Sequence, residues 1–215
     1  FRRAAPGGAG PLASRIDAFA EYQQHEAWTW EHMALTRARV ISAPPAFRDK
    51  IERVIRDVLT RPRDQGVIAS DVAEMRRAIA EEKGESDIWD LKHAAGGMVD
   101  IEFIAPYLQL VHAAAQPEIL SVSTQLVLEN AARLGLLSPQ DSDVLRPAAR
   151  LYHDLTQILR LCVSSKFKPE TAGADLLRIM TRAGDAPDFS ALEAQVRETQ
   201  VEVRRVFRAL VEGES

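Results

Sequence analysis

Between Ala46 and Leu59 the apolar residues fall at Phe47, Ile51, Val54, Ile55 and Val58, one face of a 3.6-residue period. The rhythm returns near the C-terminus. Leu192, Val196, Val203, Phe207 and Leu210 form an apolar stripe there, with many Arg and Glu residues opposite. No segment sets a convincing period-two alternation beside turn dipeptides, as strands of a sheet require; only Asp87 to Lys92 leaves room for a short strand. The pattern predicts an all-α fold, a helical bundle of long antiparallel helices with short loops. A hydrophobic share of 46% over 215 residues is ample for a buried core and argues against intrinsic disorder.

Punctuation residues divide this bundle. A short helix is expected from Ser14, as N-cap, to about Gln23. A second is expected over Glu26 to Val40, ended by Pro44-Pro45, and a third over Ala46 to Leu59. Asp64 or Ser70 would cap the next, which runs to about Lys83 and stops at Gly84. Helical rhythm breaks over Glu85 to Gly97. A helix then opens near Gly97 and continues past Pro106, with a kink expected there. Further helices are predicted at about 120–135, 139–164, 170–183 and 188–211. Residues 1–13, rich in Gly, Pro and Ala, are expected to be a linker, and 14–215 the helical bundle domain. The chain opens on Phe1, without an initiator Met or the apolar core of a signal peptide, so it is read as a piece of something longer.

Several function classes fall away. A net charge of -4 gives no reason to expect a non-specific nucleic-acid binder, although it leaves room for a local basic patch. No apolar run approaches the roughly 20 residues of a membrane span. The lone cysteine, Cys162, sits in an apolar helical stretch and is expected to be a buried, inert thiol; a chain without a disulfide framework suits a reducing, cytoplasmic compartment. His25 and His32 share a helical face near Glu26 but lack a further ligand at sensible spacing, so no metal site is expected. His112 and His153 lie in helical patterns and are expected to be partly buried. Asp141 and Asp143 suit helix capping better than magnesium binding.

Two segments suit chemistry. In Asp90-Leu91-Lys92-His93-Ala94-Ala95-Gly96-Gly97-Met98-Val99-Asp100-Ile101-Glu102-Phe103, a lysine precedes a Gly-Gly pair that opens a helix. Glycines let backbone N–H groups approach a ligand, a helix N-terminus favours phosphate, and Lys92 adds a point charge. The same residues also suit a plain turn between two helices, with Asp100 and Glu102 favourably placed in the first turn. The second segment runs from Tyr22 to Arg39. Trp28 and Trp30 there are expected to pack as aromatics with ion pairs at the surface, while Arg37 and Arg39 close the helix where they could point at phosphates.

Together the segments resemble the bifunctional glutamine synthetase adenylyltransferase/deadenylylase family. The likeness is carried by Gly10-Pro11-Leu12, Glu26-Ala27-Trp28-Thr29-Trp30-Glu31-His32, Ala34-Leu35-Thr36-Arg37-Ala38-Arg39, Asp90-Leu91-Lys92, Gly96-Gly97, Val99-Asp100-Ile101-Glu102-Phe103 and Tyr107-Leu108-Gln109-Leu110. Their wording is similar to the C-terminal, adenylylating half. The resemblance implies a helical domain that follows a nucleotidyltransferase domain. It also implies ATP and Mg²⁺ as cofactors, AMP transfer to a tyrosine of glutamine synthetase, and regulation by glutamine and PII signalling proteins. Lys92, Gly96, Gly97, Arg37 and Arg39 would then line the nucleotide cleft. The expected partners are glutamine synthetase, the PII protein and the enzyme's own nucleotidyltransferase domain, with no nucleic acid or membrane. The alternative is a non-catalytic module that docks glutamine synthetase or PII. Two departures stand out. The family's metal-binding carboxylates should precede the stretch matching Arg3-Ala4-Ala5-Pro6-Gly7 and are absent, and Ala94 stands where the family has glycine.

Overall fold

A computed structural model describes residues 14–213, and every described element is helical. The earlier residues, including the expected linker over 1–13, lie outside the described residues. The order is α1 (Ile16–His25), α2 (Thr29–Leu35), α3 (Pro45–Leu59), α4 (Gln65–Lys83), α5 (Met98–His112), α6 (Thr124–Arg133), α7 (Pro139–Cys162), α8 (Ala174–Ala183) and α9 (Phe189–Phe207). Short 3₁₀ turns at Pro117–Ile119 and Pro169–Thr171 join neighbours, and α9 passes into a π-turn over Arg208–Glu212. The expected all-α bundle is what the chain adopts. No described helix is long and apolar enough to cross a membrane.

The centre is α5. It is apolar on almost every side, with Val99, Ile101, Ile104 and Ala105 through Leu110 buried, the signature of a helix surrounded by others. Helices α2, α4, α6, α7 and α9 all pack against it. Pro106 sits inside without ending it. The amphipathic partners present one face each: Val58 and Leu59 of α3, Ile68 and Val72 of α4, Leu192, Val196 and Val203 of α9.

Local chemistry sets the ends. The Asp64 carboxylate accepts from the Val67 N–H (2.9 Å), Ser123 caps α6, Ser138 caps α7 ahead of Pro139, and Asp188 caps α9. The helix expected over Glu26 to Val40 is shorter. It starts at Thr29, where the Glu31 carboxylate accepts from the Trp28 N–H (2.9 Å), and ends at Leu35, where the Thr36 hydroxyl turns back onto the Met33 carbonyl (2.7 Å). Pro45 therefore opens α3 and does not close α2. No strand forms at 87–92. Asp87 and Asp90 accept from the N–H groups of Trp89 and His93 and fold the stretch into turns.

Three expectations about single side chains are corrected. Cys162, at the C-terminal end of α7, and His153, on the outer face of the same helix, are both exposed. Trp28 and Trp30 are 56% and 43% exposed and do not pack into the interior. The buried tryptophan is Trp89, stacked on Phe189 (5.3 Å) and edge-on to Phe167 (5.2 Å). That trio fastens the 84–97 loop to α9.

Burial makes the fold sensitive to acid through two half-buried histidines. Desolvation pushes the imidazoles of His32 and His112 below their ordinary value. His32 also donates from Nε2 to the Gln23 carbonyl (2.9 Å). In the unfolded chain these groups titrate near about 6.5. As pH falls through that value the unfolded state takes up protons first, so the stability present above it is lost. The urea midpoint is expected to drop between pH 7.5 and 5.5. In the double variant His32→Gln, His112→Gln the drop should shrink; an unchanged drop would refute the assignment.

Candidate functional site

Both motif-bearing segments meet on α5. The 84–97 loop folds back on itself before the helix opens. Ala95 N–H bonds to the Glu85 carbonyl (3.0 Å), Gly97 N–H to Ala94 (2.8 Å), Met98 N–H to Leu91 (2.8 Å) and Val99 N–H to Lys92 (3.0 Å). The first amides of α5 are therefore already satisfied within the loop.

Gly96 is the tightest point. Its φ is +75°, and a Cβ there would lie 1.7 Å from the carbonyl oxygen of Gln200 on α9. Its N–H donates to Asp100 Oδ2 (2.6 Å), and its carbonyl accepts from the Tyr152 hydroxyl on α7 (2.9 Å). The Gln200 side chain donates to the Ile88 carbonyl (2.8 Å). The Gly-Gly pair is thus where α5, α7 and α9 close on one another. Neither glycine has a free amide to offer an anion, so their expected part in cradling phosphate does not survive in the geometry.

Beneath Gly96 lies a buried ionic hub. The carboxylate of Asp100 is fully buried and accepts from Arg76 Nε of α4. Arg76 is also buried and pairs with Glu85 (3.2 Å). Arg204 of α9 stands 3.8 Å from Asp100, pairs with Glu212 (3.3 Å) and lies over the Phe207 ring (5.1 Å). Burial pushes the Asp100 carboxyl up, against the pull of Arg76, Arg204 and the Gly96 amide. Burial, followed by the charge of Asp100, pushes the Tyr152 hydroxyl up. Tyr152 is therefore a structural donor, not an acid or base at neutral pH.

The remaining expected site residues are exposed. Lys92 lines a cavity of about 480 Å³ together with Arg160, Lys166 and Asp90. Arg39 lines another, of about 520 Å³, with Arg48, Arg53 and Arg56 of α3. No residue lines both. Arg37 reaches across to α5 and pairs with Glu102 (3.1 Å). The structure joins Arg37 to the first turns of α5 but gives Lys92 and Arg39 separate cavities. Among the described residues no three of His, Cys, Asp and Glu assemble into a metal site. Sequence reasoning missed Arg76 and Arg204, because each lies in a run that looks like an ordinary solvated helix face.

Comparison with known proteins supplies the context. A family model described as glutamate-ammonia ligase adenylyltransferase matches residues 3–54, and one described as GlnD PII-uridylyltransferase matches residues 73–211. Over 97% of its length the chain is 75% identical to a bifunctional glutamine synthetase adenylyltransferase/adenylyl-removing enzyme of Rhodopseudomonas palustris strain BisB5. Proteins of the same description from Bradyrhizobium sp. strain ORS 278 and Xanthobacter autotrophicus strain Py2 are 74% and 53% identical over 96% of it. The chain spans 21% of the length of each of these relatives.

Proposed function

The chain belongs to the glutamine synthetase adenylyltransferase/adenylyl-removing enzyme family, and from that premise we propose that it is the helical part of the C-terminal, adenylylating half. In the intact enzyme it lines a nucleotide cleft and faces a nucleotidyltransferase domain. There a tyrosine hydroxyl of glutamine synthetase would take the AMP group of ATP at its α-phosphorus, with pyrophosphate leaving and Mg²⁺ supplying charge to the phosphates. The carboxylates that hold the metal belong to that other domain.

One observation carries this reading. The two stretches of family wording fold onto each other, α2 against α5, with Arg37 tied to Glu102 at 3.1 Å. The same region leaves Trp28 and Trp30 exposed. This chain contributes charge and shape. Lys92 offers an ammonium group from an open cavity, Arg37 a guanidinium oriented by Glu102, and Arg39 a second guanidinium on the α3 side. Gly96 and Gly97 hold the loop that presents Lys92.

In the full-length enzyme, Lys92→Glu is expected to slow adenylylation of glutamine synthetase by roughly a hundredfold, with partner binding intact. The 215-residue chain alone should show no turnover. The exposed tryptophans also suit a second reading, a docking module for glutamine synthetase or PII. Loss of partner binding in Lys92→Glu with normal nucleotide affinity would favour that reading and reject the first.

A further inference from the structure

The cavity of Arg39, of about 520 Å³, is formed by α3, the turn that follows α2, Gln109 of α5 and the loop at 120–122. Arg48 in its lining is committed to Glu52 (3.5 Å) and to the Val40 carbonyl (3.0 Å). The guanidiniums of Arg39, Arg53 and Arg56 make no ion pair or hydrogen bond with any described residue. Asp49 is the one lining carboxylate outside such a pair. Three uncommitted guanidiniums therefore stand against a single carboxylate, in a chain of net charge -4. The floor carries a buried donor. Gln109 is 2% exposed, and its Oε1 accepts from the Ser121 N–H (2.9 Å). That bond fixes which end of the amide is which, because a backbone N–H needs an acceptor. The Nε2 end donates to no described residue, yet it is not sealed from solvent, so it opens into the cavity that Gln109 lines. Held in place by Ser121, it meets an entering acceptor with little further ordering.

The lining defines the ligand. Unpaired guanidiniums and a free NH₂ donor select an anion, and the planar fork of arginine suits the oxygens of a carboxylate or a phosphate. Val40, Ile55, Leu120 and Val122 add an apolar wall beside them. The volume lies in the range of small-molecule sites. We propose that this cavity binds a small organic anion, with its acidic head against Gln109, Arg53 and Arg56 and its apolar body against that wall. The site shares no residue with the cavity of Lys92. Gln109, Arg53 and Arg56 also lie outside the cleft assigned above, to which only Arg39 is common.

Titration of the 215-residue chain followed by NMR tests this, because the Gln109 side-chain NH₂ reports on the site directly. The probes are hexyl phosphate and hexanoate, with inorganic phosphate and hexanol as controls that lack the apolar body or the charge. The preferred acid is expected to shift the Gln109 NH₂ and Ser121 N–H resonances. It should bind about tenfold or more tightly than inorganic phosphate, the effect of burying roughly two methylenes, and hexanol should not bind. Tighter binding of hexyl phosphate identifies a phosphate head, and equal or tighter binding of hexanoate a carboxylate. Arg53 and Arg56 are exposed, so the double variant Arg53→Gln, Arg56→Gln should fold and should weaken the preferred acid by about tenfold. Gln109→Glu keeps an oxygen for Ser121 and sets a like charge against the ligand, and should weaken it by about tenfold or more. Lys92→Glu should leave binding unchanged, which separates this site from the catalytic cleft. Absence of binding by both acids, binding that leaves the Gln109 resonances in place, inorganic phosphate as tight as the preferred acid, or unaltered affinity in the arginine double variant overturns the proposal.

Discussion

Replacing Asp100 by alanine is expected to destabilise the chain by about 3–5 kcal/mol, the range found when one partner of a buried ion pair is removed. The carboxylate has no exposure to solvent, and the Arg76 side chain that donates to it is 2% exposed. Without Asp100 the Arg76 guanidinium stays in the interior with Glu85 as its remaining ionic partner, beside the long bonds to the His93 and Ala94 carbonyls (3.4 Å each), and Arg204 loses a partner at 3.8 Å. The Gly96 N–H, bonded to the same carboxylate, is orphaned as well. A double-mutant cycle with Arg76→Met isolates the pair term. The double variant should recover much of the loss, because two apolar groups need no compensation whereas a lone buried cation does. Urea denaturation of the four proteins measures this. If Asp100→Ala alone cost less than about 1 kcal/mol, the hub would have no part in holding α4, α5 and α9 together.

The hub also shows how far the residues alone disclose the structure. Helices α3, α4, α5, α7 and α9 are visible in the amino-acid order, because each has either a clear apolar face or a capping residue at the expected place. The shortening of α2 is less visible, since the stop at Leu35 depends on a Thr36 hydroxyl choosing the backbone over solvent. The different fates of Asp100 and Glu102 are least visible. In sequence they look like two acidic residues suited to the start of a helix. Two residues along a helix turn the side chain through about 200°, so one enters the core and the other pairs with Arg37 at the surface. Which one enters is decided by Arg76, 24 positions earlier. Periodicity cannot report such a partner. The Gly-Gly pair is similar: its sequence context suits an anion cradle, and only the approach of Gln200, about a hundred residues later in the chain, shows that the space is already taken.

Gly96→Ala is therefore expected to be the most damaging conservative substitution in the chain. Two costs combine at that position. At φ +75° an L-residue is held in the left-handed region, which costs roughly 1–2 kcal/mol. The new methyl would also lie 1.7 Å from the Gln200 carbonyl oxygen and 2.5 Å from its carbon. These are backbone atoms, so no rotamer change relieves the overlap and α9 must move away from α5. That movement strains the Gln200 bond to Ile88 and disturbs the Tyr152 bond to the Gly96 carbonyl. Gly135 provides the control. Its φ is +72°, it follows the C-terminus of α6, and nothing lies within 4 Å of the position its Cβ would take. Gly135→Ala should therefore show the backbone cost alone, roughly 1–2 kcal/mol. Gly96→Ala should exceed it by several kcal/mol and leave little folded protein, as core overpacking without relaxation does. Thermal unfolding of the two variants side by side decides the matter. Equal losses would mean that α9 can withdraw from the loop at no cost, and that the contact with Gln200 does not position the segment carrying Lys92.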